Sequence, residues 1–195
     1  MLNPVLNPEH AAIINETKNW LEKAVIGLNL CPFAKAVHVK DQIGYRVSDA
    51  TTAEALLEDL LAALRLLDDS DAEILDTLLL IHPAVFTDFL DYNDFLDIAD
   101  AAAAEPEFGD RLQIASFHPQ FQFDGTTADD IENYTNRSLY PILHLLREDS
   151  VERAVAAFPE TEQIYRKNMR TLRELGHDGW LRLFAADTLG RVRGQ

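Results

Sequence analysis

Residues 77–83 read Thr-Leu-Leu-Leu-Ile-His-Pro, and this short stretch gives the strongest indication of the fold. Its apolar side chains occupy both faces of an extended strand, as in a central strand that helices cover on both sides. Pro83 then ends the strand, because proline has no N–H to give to a sheet. The stretch therefore predicts the middle of a small, buried sheet.

Working outward, the sequence predicts two further strands, at 43–48 and 112–117. A leucine-rich helix at about 52–67 precedes the central strand, and a helix capped by Asp91 follows it. Strands that alternate with helices favour right-handed parallel crossovers. We therefore expect an α/β or helix-rich α+β domain with a small, mostly parallel sheet of three to four strands covered by helices.

The remaining elements are predicted from caps and apolar spacing. Asn7 and Pro8 begin the first helix, which ends near residues 27–29, and the segment 37–40 is the candidate for a fourth, edge strand. Four later helices are predicted, at about 131–135, 138–148, 150–157 and 160–175, with Gly176 closing the last.

Composition indicates one globular domain over residues 1–195, with a loosely held basic tail at 181–195. Cys31 is the single cysteine, so no internal disulfide forms. We found neither an apolar run long enough to span a bilayer nor a leader segment, which favours a cytoplasmic protein. The net charge of -16 argues against nucleic acid and anionic membranes as partners. Oligomeric state stays open.

Two predicted strands end in the same dipeptide, His82-Pro83 and His118-Pro119. Because parallel strands end at one edge of a sheet, both imidazoles are expected there, within reach of a common ligand. Imidazole is the side chain best suited to exchange a proton near neutral pH. The alternative is that each histidine only caps loop carbonyls.

A second cluster of polar residues lies in, and immediately before, the helix predicted at 138–148. Arg137, Tyr140, His144, Arg147 and Glu148 would share one helical face. On that face His144 and Glu148 would form a pair, and the arginine forks would suit a carboxylate or phosphate. A solvated helix face is the alternative.

Cys31 precedes Pro32, and proline favours the first turn of a helix. A cysteine in the N-cap position would face unpaired amides, which lowers the pKa of a thiol and favours the thiolate. That would suit a nucleophile or a metal ligand. The alternative is a small buried side chain after the first helix.

Three segments resemble the uncharacterised bacterial family called domain of unknown function 1415. They are Leu-Cys-Pro-Phe-Ala at 30–34, Ser-Phe-His-Pro-Gln-Phe-Gln-Phe at 116–123, and Asn-Arg-Ser-Leu-Tyr-Pro-Ile-Leu-His-Leu-Leu-Arg-Glu at 136–148. The chain departs from the family pattern at Asp124, where alanine is usual, and at Leu139, where proline is usual. The resemblance implies no activity.

These observations favour a small-molecule enzyme that hydrolyses or transfers a group on an anionic substrate. The candidate catalytic residues are Cys31, His118, His144 and Glu148, and the candidate substrate-binding residues are Arg137, Arg147, Asn136, Tyr140 and Thr126. One alternative is a protein that binds a transition metal or haem through Cys31, His118, His144 and Glu148. Another is a non-catalytic interaction module.

Overall fold

The computed structural model describes the backbone of residues 7–157 and 161–192, and the side chains of 7–157 and 163–185. Its centre is a four-stranded sheet in the order β1-β2-β4-β3. The strands are β1 (Ile43–Val47), β2 (Thr77–Ile81), β3 (Leu112–Phe117) and β4 (Ile142–Arg147). β1 and β2 pair in parallel, whereas β4 is antiparallel to both of its neighbours. β1, β2 and β3 therefore run the same way, and β4 lies between β2 and β3 in the opposite direction.

Six helices accompany the sheet within the described residues: α1 (Pro8–Trp20), α2 (Ala34–Val39), α3 (Ala53–Asp69), α4 (Phe89–Ala103), α5 (Glu148–Ala157) and α6 (Thr161–Val192). A π-helical segment, Leu21–Ile26, continues α1, and short 3-10 turns occur at Gly109–Arg111 and Ile131–Thr135. The expected helix-rich α/β class is confirmed.

Two apolar clusters form the core, one on each face of the sheet. Leu78 and Leu80 point to the cluster built with α3 and α4, including Leu60 and Tyr92. Leu79 and Ile81 point to the opposite cluster, built with α1, its π-helical continuation and α6. Every residue of β2 is buried. The two-sided apolar pattern of 77–81 thus predicted its central position correctly.

The helix predicted at 138–148 is wrong, because this segment contains β4. Its register pairs His144 with Leu79 on one side and with Ala115 on the other. Buried apolar residues occupy both faces of the strand, and a short apolar run of this kind cannot be assigned from periodicity alone. The shared polar helix face is therefore absent, since alternate residues of a strand point to opposite sides.

Other local predictions had mixed outcomes. Asn7 caps α1 as expected, its side chain accepting from the Glu9 N–H at 3.0 Å. The edge strand at 37–40 is wrong, because these residues lie in α2 and its C-cap. The cap of α4 is Asp88 rather than Asp91, so this helix starts one turn earlier.

Gly176 interrupts α6 with φ 64° and ψ 173°, and helix resumes after it. The expected closure at Gly176 is therefore a kink within a longer element. Of the predicted tail at 181–195, residues 181–192 continue α6 and residues 193–195 lie outside the described part of the chain. Among the described helices, none combines the length and apolar character needed to cross a membrane.

Candidate functional site on the sheet face around His144

His144 lies at the middle of β4 and is oriented by a threonine on the neighbouring strand. The distance from its Nε2 to the Thr77 Oγ1 is 2.7 Å. The Thr77 hydroxyl donates its hydrogen to the Leu145 carbonyl, also at 2.7 Å. Because that hydrogen is used, Nε2 must carry the proton and donate to Oγ1. The other ring nitrogen, Nδ1, therefore presents a lone pair, and it makes no hydrogen bond to any described residue.

The sheet surface around this imidazole is partly exposed toward β3, although Ile142 on the same face is buried. We call it the His144 face, and it consists of Gln113, Ala115, Phe117, His144 and Leu146. All of these residues are partly exposed. On the opposite face, Leu143 and Leu145 are 0% exposed and Leu112 is 6% exposed. The His144 face is thus a half-buried, largely apolar surface that borders the buried side chains of Leu79 and Ile142.

Burial lowers the pKa of His144 to about 4. The cause is the removal of water from around the ring, which disfavours the charged imidazolium. His144 is therefore neutral at pH 7, with the tautomer that Thr77 selects. A neutral imidazole with a fixed tautomer and an unpaired lone pair is suited to accept a proton or a hydrogen bond.

Two other candidate residues lie on this side of the sheet. Cys31 and Tyr140 both pack against the apolar cluster that contains Ile142. The Tyr140 hydroxyl donates to a carboxylate oxygen of Glu16 on α1. Cys31 is not an N-cap, because α2 begins three residues later and Phe33 precedes it. The expected helix-terminal position of the thiol is thus wrong.

His82 and His118 meet at the other predicted place, the edge where β2 and β3 end. Both rings stack on Tyr92 of α4, with centroids at 5.6 Å and 5.1 Å. The Tyr92 hydroxyl donates to the Ile142 carbonyl at 2.8 Å, which joins the cluster to the start of β4. The parallel directions of β2 and β3 therefore bring the two histidines together as expected.

The hydrogen bonds of His118 leave it without an available ring nitrogen. Its Nδ1 accepts from the Gln120 N–H at 3.0 Å, and its Nε2 donates to the Phe86 carbonyl at 3.1 Å. The side chain is fully buried, and burial lowers its pKa. His118 is therefore a neutral residue that fixes loops, which agrees with the alternative interpretation of the His-Pro motif.

His82 donates from Nδ1 to the Val85 carbonyl at 3.0 Å, while its buried Nε2 has no hydrogen-bond partner. Burial lowers the pKa of His82 to about 4, and repulsion from His118, when that ring is protonated, adds a smaller lowering. The loop that binds both histidines contains Phe86 at φ 54°, a strained value for a bulky residue. His82 has a fixed tautomer as well, but its side chain is fully buried, whereas His144 is half-buried.

The arginines expected to bind an anion are used to hold the backbone. Arg147 donates to the carbonyls of Leu67, Ser70 and Leu75, where α3 ends and the chain turns toward β2. It projects to the α3 side of the sheet, away from His144, because strand residues that are an odd number of positions apart face opposite sides of the sheet. Arg137, Arg147 and His144 therefore do not share one face, as the predicted helix would have required.

Arg137 and Asn136 stabilise the segment that joins β3 to β4. Arg137 donates to the carbonyls of Phe121 and Ala128 at 3.2 Å and 2.6 Å, and its guanidinium lies 4.4 Å from the centre of the Tyr134 ring. Asn136 donates from its side chain to the Ser116 carbonyl at 3.1 Å. These contacts order a loop.

Thr126 and Glu148 also have structural partners. The Thr126 hydroxyl lies 2.9 Å from Oδ1 of Asn133, a fully buried side chain that also accepts from the Phe123 N–H at 3.0 Å. Glu148 accepts from Gln113 Nε2 at 3.0 Å. The expected His144–Glu148 pair is wrong, because the helical spacing on which it depended is absent.

The candidate metal ligands do not come together. His118 lies among the aromatic residues of α4, His144 lies on the other face of the sheet, and Glu148 bonds Gln113. Among the side chains that the structure describes, no group of three or more His, Cys, Asp or Glu residues is placed to hold a metal ion. The shared ligand set predicted from the sequence is therefore wrong.

A separate groove of about 340 Å³ lies between α3 and α4. Leu57, Leu61 and Ile98 are among its apolar lining residues, and the Arg65–Glu107 ion pair lies at its edge. No histidine or cysteine lines it. Its carboxylates are those of Glu105 and Glu107, and it has no imidazole comparable to that of His144.

Sequence reasoning missed Thr77, Tyr92 and Asn133. Thr77 is the one hydroxyl residue at the start of an apolar strand, and its position next to His144 follows only from the antiparallel register of β2 and β4. Tyr92 and Asn133 fall in segments that the sequence predicts as helices, and nothing in the sequence indicates their buried hydrogen bonds.

The fold and the site define a helix-rich α/β protein whose four-stranded mixed sheet carries an oriented histidine on a partly exposed face. The chain belongs to the family described as protein of unknown function DUF1415, whose model matches residues 12–182. Neither a curated protein nor a solved structure matches the chain.

Proposed function

We propose that this protein is a small-molecule enzyme that catalyses hydrolysis or group transfer, with His144 as its general base. One observation carries the proposal: the Thr77 hydroxyl holds the Nε2–H of His144, which leaves Nδ1 as an acceptor on a half-buried sheet face. An imidazole oriented through one nitrogen and reactive through the other is the arrangement of histidine bases in general.

In the proposed step, Nδ1 takes a proton from a water molecule or from a substrate hydroxyl or thiol as its oxygen or sulfur forms a bond to the acyl carbon or phosphorus of the substrate. The bond from that atom to the leaving group then breaks, and the proton on Nδ1 passes to the leaving group, which restores the neutral ring. The Nε2–H stays bonded to Thr77 throughout, and the Leu145 carbonyl polarises the threonine hydroxyl. Because the pKa of His144 is about 4, the ring is a weak base. It therefore assists while the new bond forms, and it does not generate a free alkoxide beforehand.

The proposal changes the roles assigned from the sequence. His118 is not the base, since both of its nitrogens are engaged by backbone groups. Arg137 and Arg147 bind carbonyls, so the proposal does not retain an anionic substrate. It retains a cytoplasmic location and a small-molecule partner in place of nucleic acid or membrane, on the basis of the single cysteine and the net charge of -16.

Activity assays on generic probes test the proposal. The wild type is offered p-nitrophenyl acetate, a p-nitrophenyl thioester and p-nitrophenyl phosphate, beside His144→Phe and the control His177→Phe on the exposed part of α6. We expect His144→Phe to lose roughly 100-fold or more of any turnover, the usual contribution of a general base. Equal activity in the two variants, or no turnover of any probe by the wild type, would contradict the proposal.

A further inference from the structure

The surroundings of His144 define the kind of molecule that fits against it. Its neighbours in the register are Leu79 and Ala115, and the Phe117 ring lies 6.0 Å from the imidazole centre. Ala115 is the smallest of these side chains, and it is partly exposed. Apolar and aromatic surfaces around one oriented polar group are typical of small-ligand sites.

Charge on this face is sparse and negative. Burial is the one cause of the lowered pKa of His144, with no contribution from a charged neighbour among the described residues. The carboxylate of Glu148 is held by Gln113, two residues along β3 from Ala115, or roughly 7 Å along a strand. The nearby Arg147 guanidinium is bound to carbonyls on the other side of the sheet. Lys18, on the same side of the sheet, lies 5.0 Å from the centre of the Tyr45 ring in β1. Among the described residues of β3 and β4, an anionic ligand would thus meet a carboxylate and no available cation.

We infer that the His144 face binds an uncharged molecule with a flat apolar body and a single O–H or N–H donor directed at Nδ1. Phenols, indoles and aryl alcohols have this chemistry. The inference rests on the proposed site, and it names the substrate class. The apolar body lies over Ala115 and Leu146, and the donor satisfies the lone pair that Thr77 orients toward it.

Long-range ¹H–¹⁵N spectra of the histidine rings provide the direct test, with phenol, toluene and benzoate as probes. Phenol should shift the Nδ1 resonance of His144. Toluene keeps the apolar body and removes the donor, so it should bind about fivefold more weakly, the usual effect of one neutral hydrogen bond. Benzoate adds a negative charge and should bind more weakly than phenol. Benzoate binding as tightly as phenol would overturn the inference.

A matched pair of variants locates the binding. Ala115→Leu fills the space beside His144 and should weaken phenol binding at least tenfold. Ala101→Leu makes the same change at an exposed position on α4, across the sheet, and should leave binding unchanged. Circular dichroism confirms that each variant is folded. If a folded Ala115→Leu protein binds phenol normally, the inferred site is wrong.

The two proposals fail in different ways. Phenol that binds at His144 without turnover of any generic probe would contradict the enzyme proposal and support the inferred ligand class. Turnover that depends on His144, combined with a preference for benzoate over phenol, would support the enzyme and overturn the ligand class. Loss of phenol binding in His144→Phe, with normal binding in His177→Phe, supports the inferred contact.

Discussion

Thr77 determines which nitrogen of His144 is free. Replacing Thr77 with valine keeps the shape of the side chain but removes the hydroxyl between the His144 Nε2–H and the Leu145 carbonyl. Leaving both groups unpaired should cost about 1–2 kcal/mol of the free energy of unfolding. The ring should also populate both tautomers.

Urea denaturation and histidine ¹⁵N shifts measure the two effects of Thr77→Val. The control is Thr87→Val, which makes the same change at an exposed position. A single unchanged tautomer in Thr77→Val would show that another group orients the ring.

Arg147 is expected to matter for stability because it closes the end of α3. Arg147→Ala removes the donor shared by the carbonyls of Leu67, Ser70 and Leu75 and should lower the free energy of unfolding by about 3 kcal/mol. An anion clamp would behave differently, because removing its unbalanced charge would leave stability equal or higher.

Urea denaturation of Arg147→Ala beside Arg46→Ala separates these cases, since Arg46 is an exposed residue of β1. A change in Arg147→Ala no larger than that in Arg46→Ala would contradict the structural role.

At the scale of the element, α4 offers a comparison of two neighbouring aspartates. The Asp88 carboxylate accepts from the N–H groups of Leu90 and Asp91 at 2.8 Å and 3.4 Å, so two N–H groups of the first helical turn have a hydrogen-bond partner. Asp88→Ala should therefore cost about 1 kcal/mol. Asp91→Ala lies inside the first turn and should cost less. Thermal melts of both variants measure the difference, and equal losses would place the cap elsewhere.

Gly176 permits the kink within α6. Its combination of φ 64° and ψ 173° is open to glycine and costs other residues about 1–3 kcal/mol. Since no atom lies within 4 Å of an added Cβ, backbone strain alone should destabilise Gly176→Ala. Urea denaturation followed by the fluorescence of the nearby buried Trp180 measures this loss. The exposed Asp178→Ala is the control, and equal stability of the two variants would mean that the kink straightens freely.

At the scale of the whole molecule, buried neutral histidines make folding sensitive to acid. The folded pKa values of His82 and His144 are about 4, below the ordinary value of 6.5. Between those values the unfolded chain binds more protons than the folded chain. The stabilising contribution is therefore complete above pH 6.5 and is lost as the pH falls toward 4, at about 1.4 kcal/mol per pH unit for each histidine.

Urea denaturation at pH 7 and pH 4.5 tests this linkage. The free energy of unfolding of the wild type should fall between these values, and His144→Phe should lose roughly 2–3 kcal/mol less than the wild type does. His177→Gln should show the wild-type decrease. If His144→Phe loses as much stability as the wild type, His144 is not the buried neutral group that the structure shows.

Elements whose signals are local could be predicted from the sequence. The Asn7-Pro8 cap, the leucine spacing of α3 and the two-sided apolar run at 77–81 each act through neighbouring residues of the chain, and all appear in the structure. The joint position of His82 and His118 also followed from sequence, because strand direction alone brings two parallel strand ends to one edge.

Tertiary structure alone decided the rest of the site. Residues 142–147 are apolar enough for either a strand or a helix. They form a strand that pairs with β2 on one side and with β3 on the other. In the strand, His144 no longer shares a helical face with Arg147 and Glu148. His144 instead hydrogen-bonds Thr77, and Arg147 hydrogen-bonds carbonyls at the end of α3. The physical reason is that hydrogen bonds between residues distant in sequence, here 67 positions apart for Thr77 and His144, leave no periodic signal in the chain.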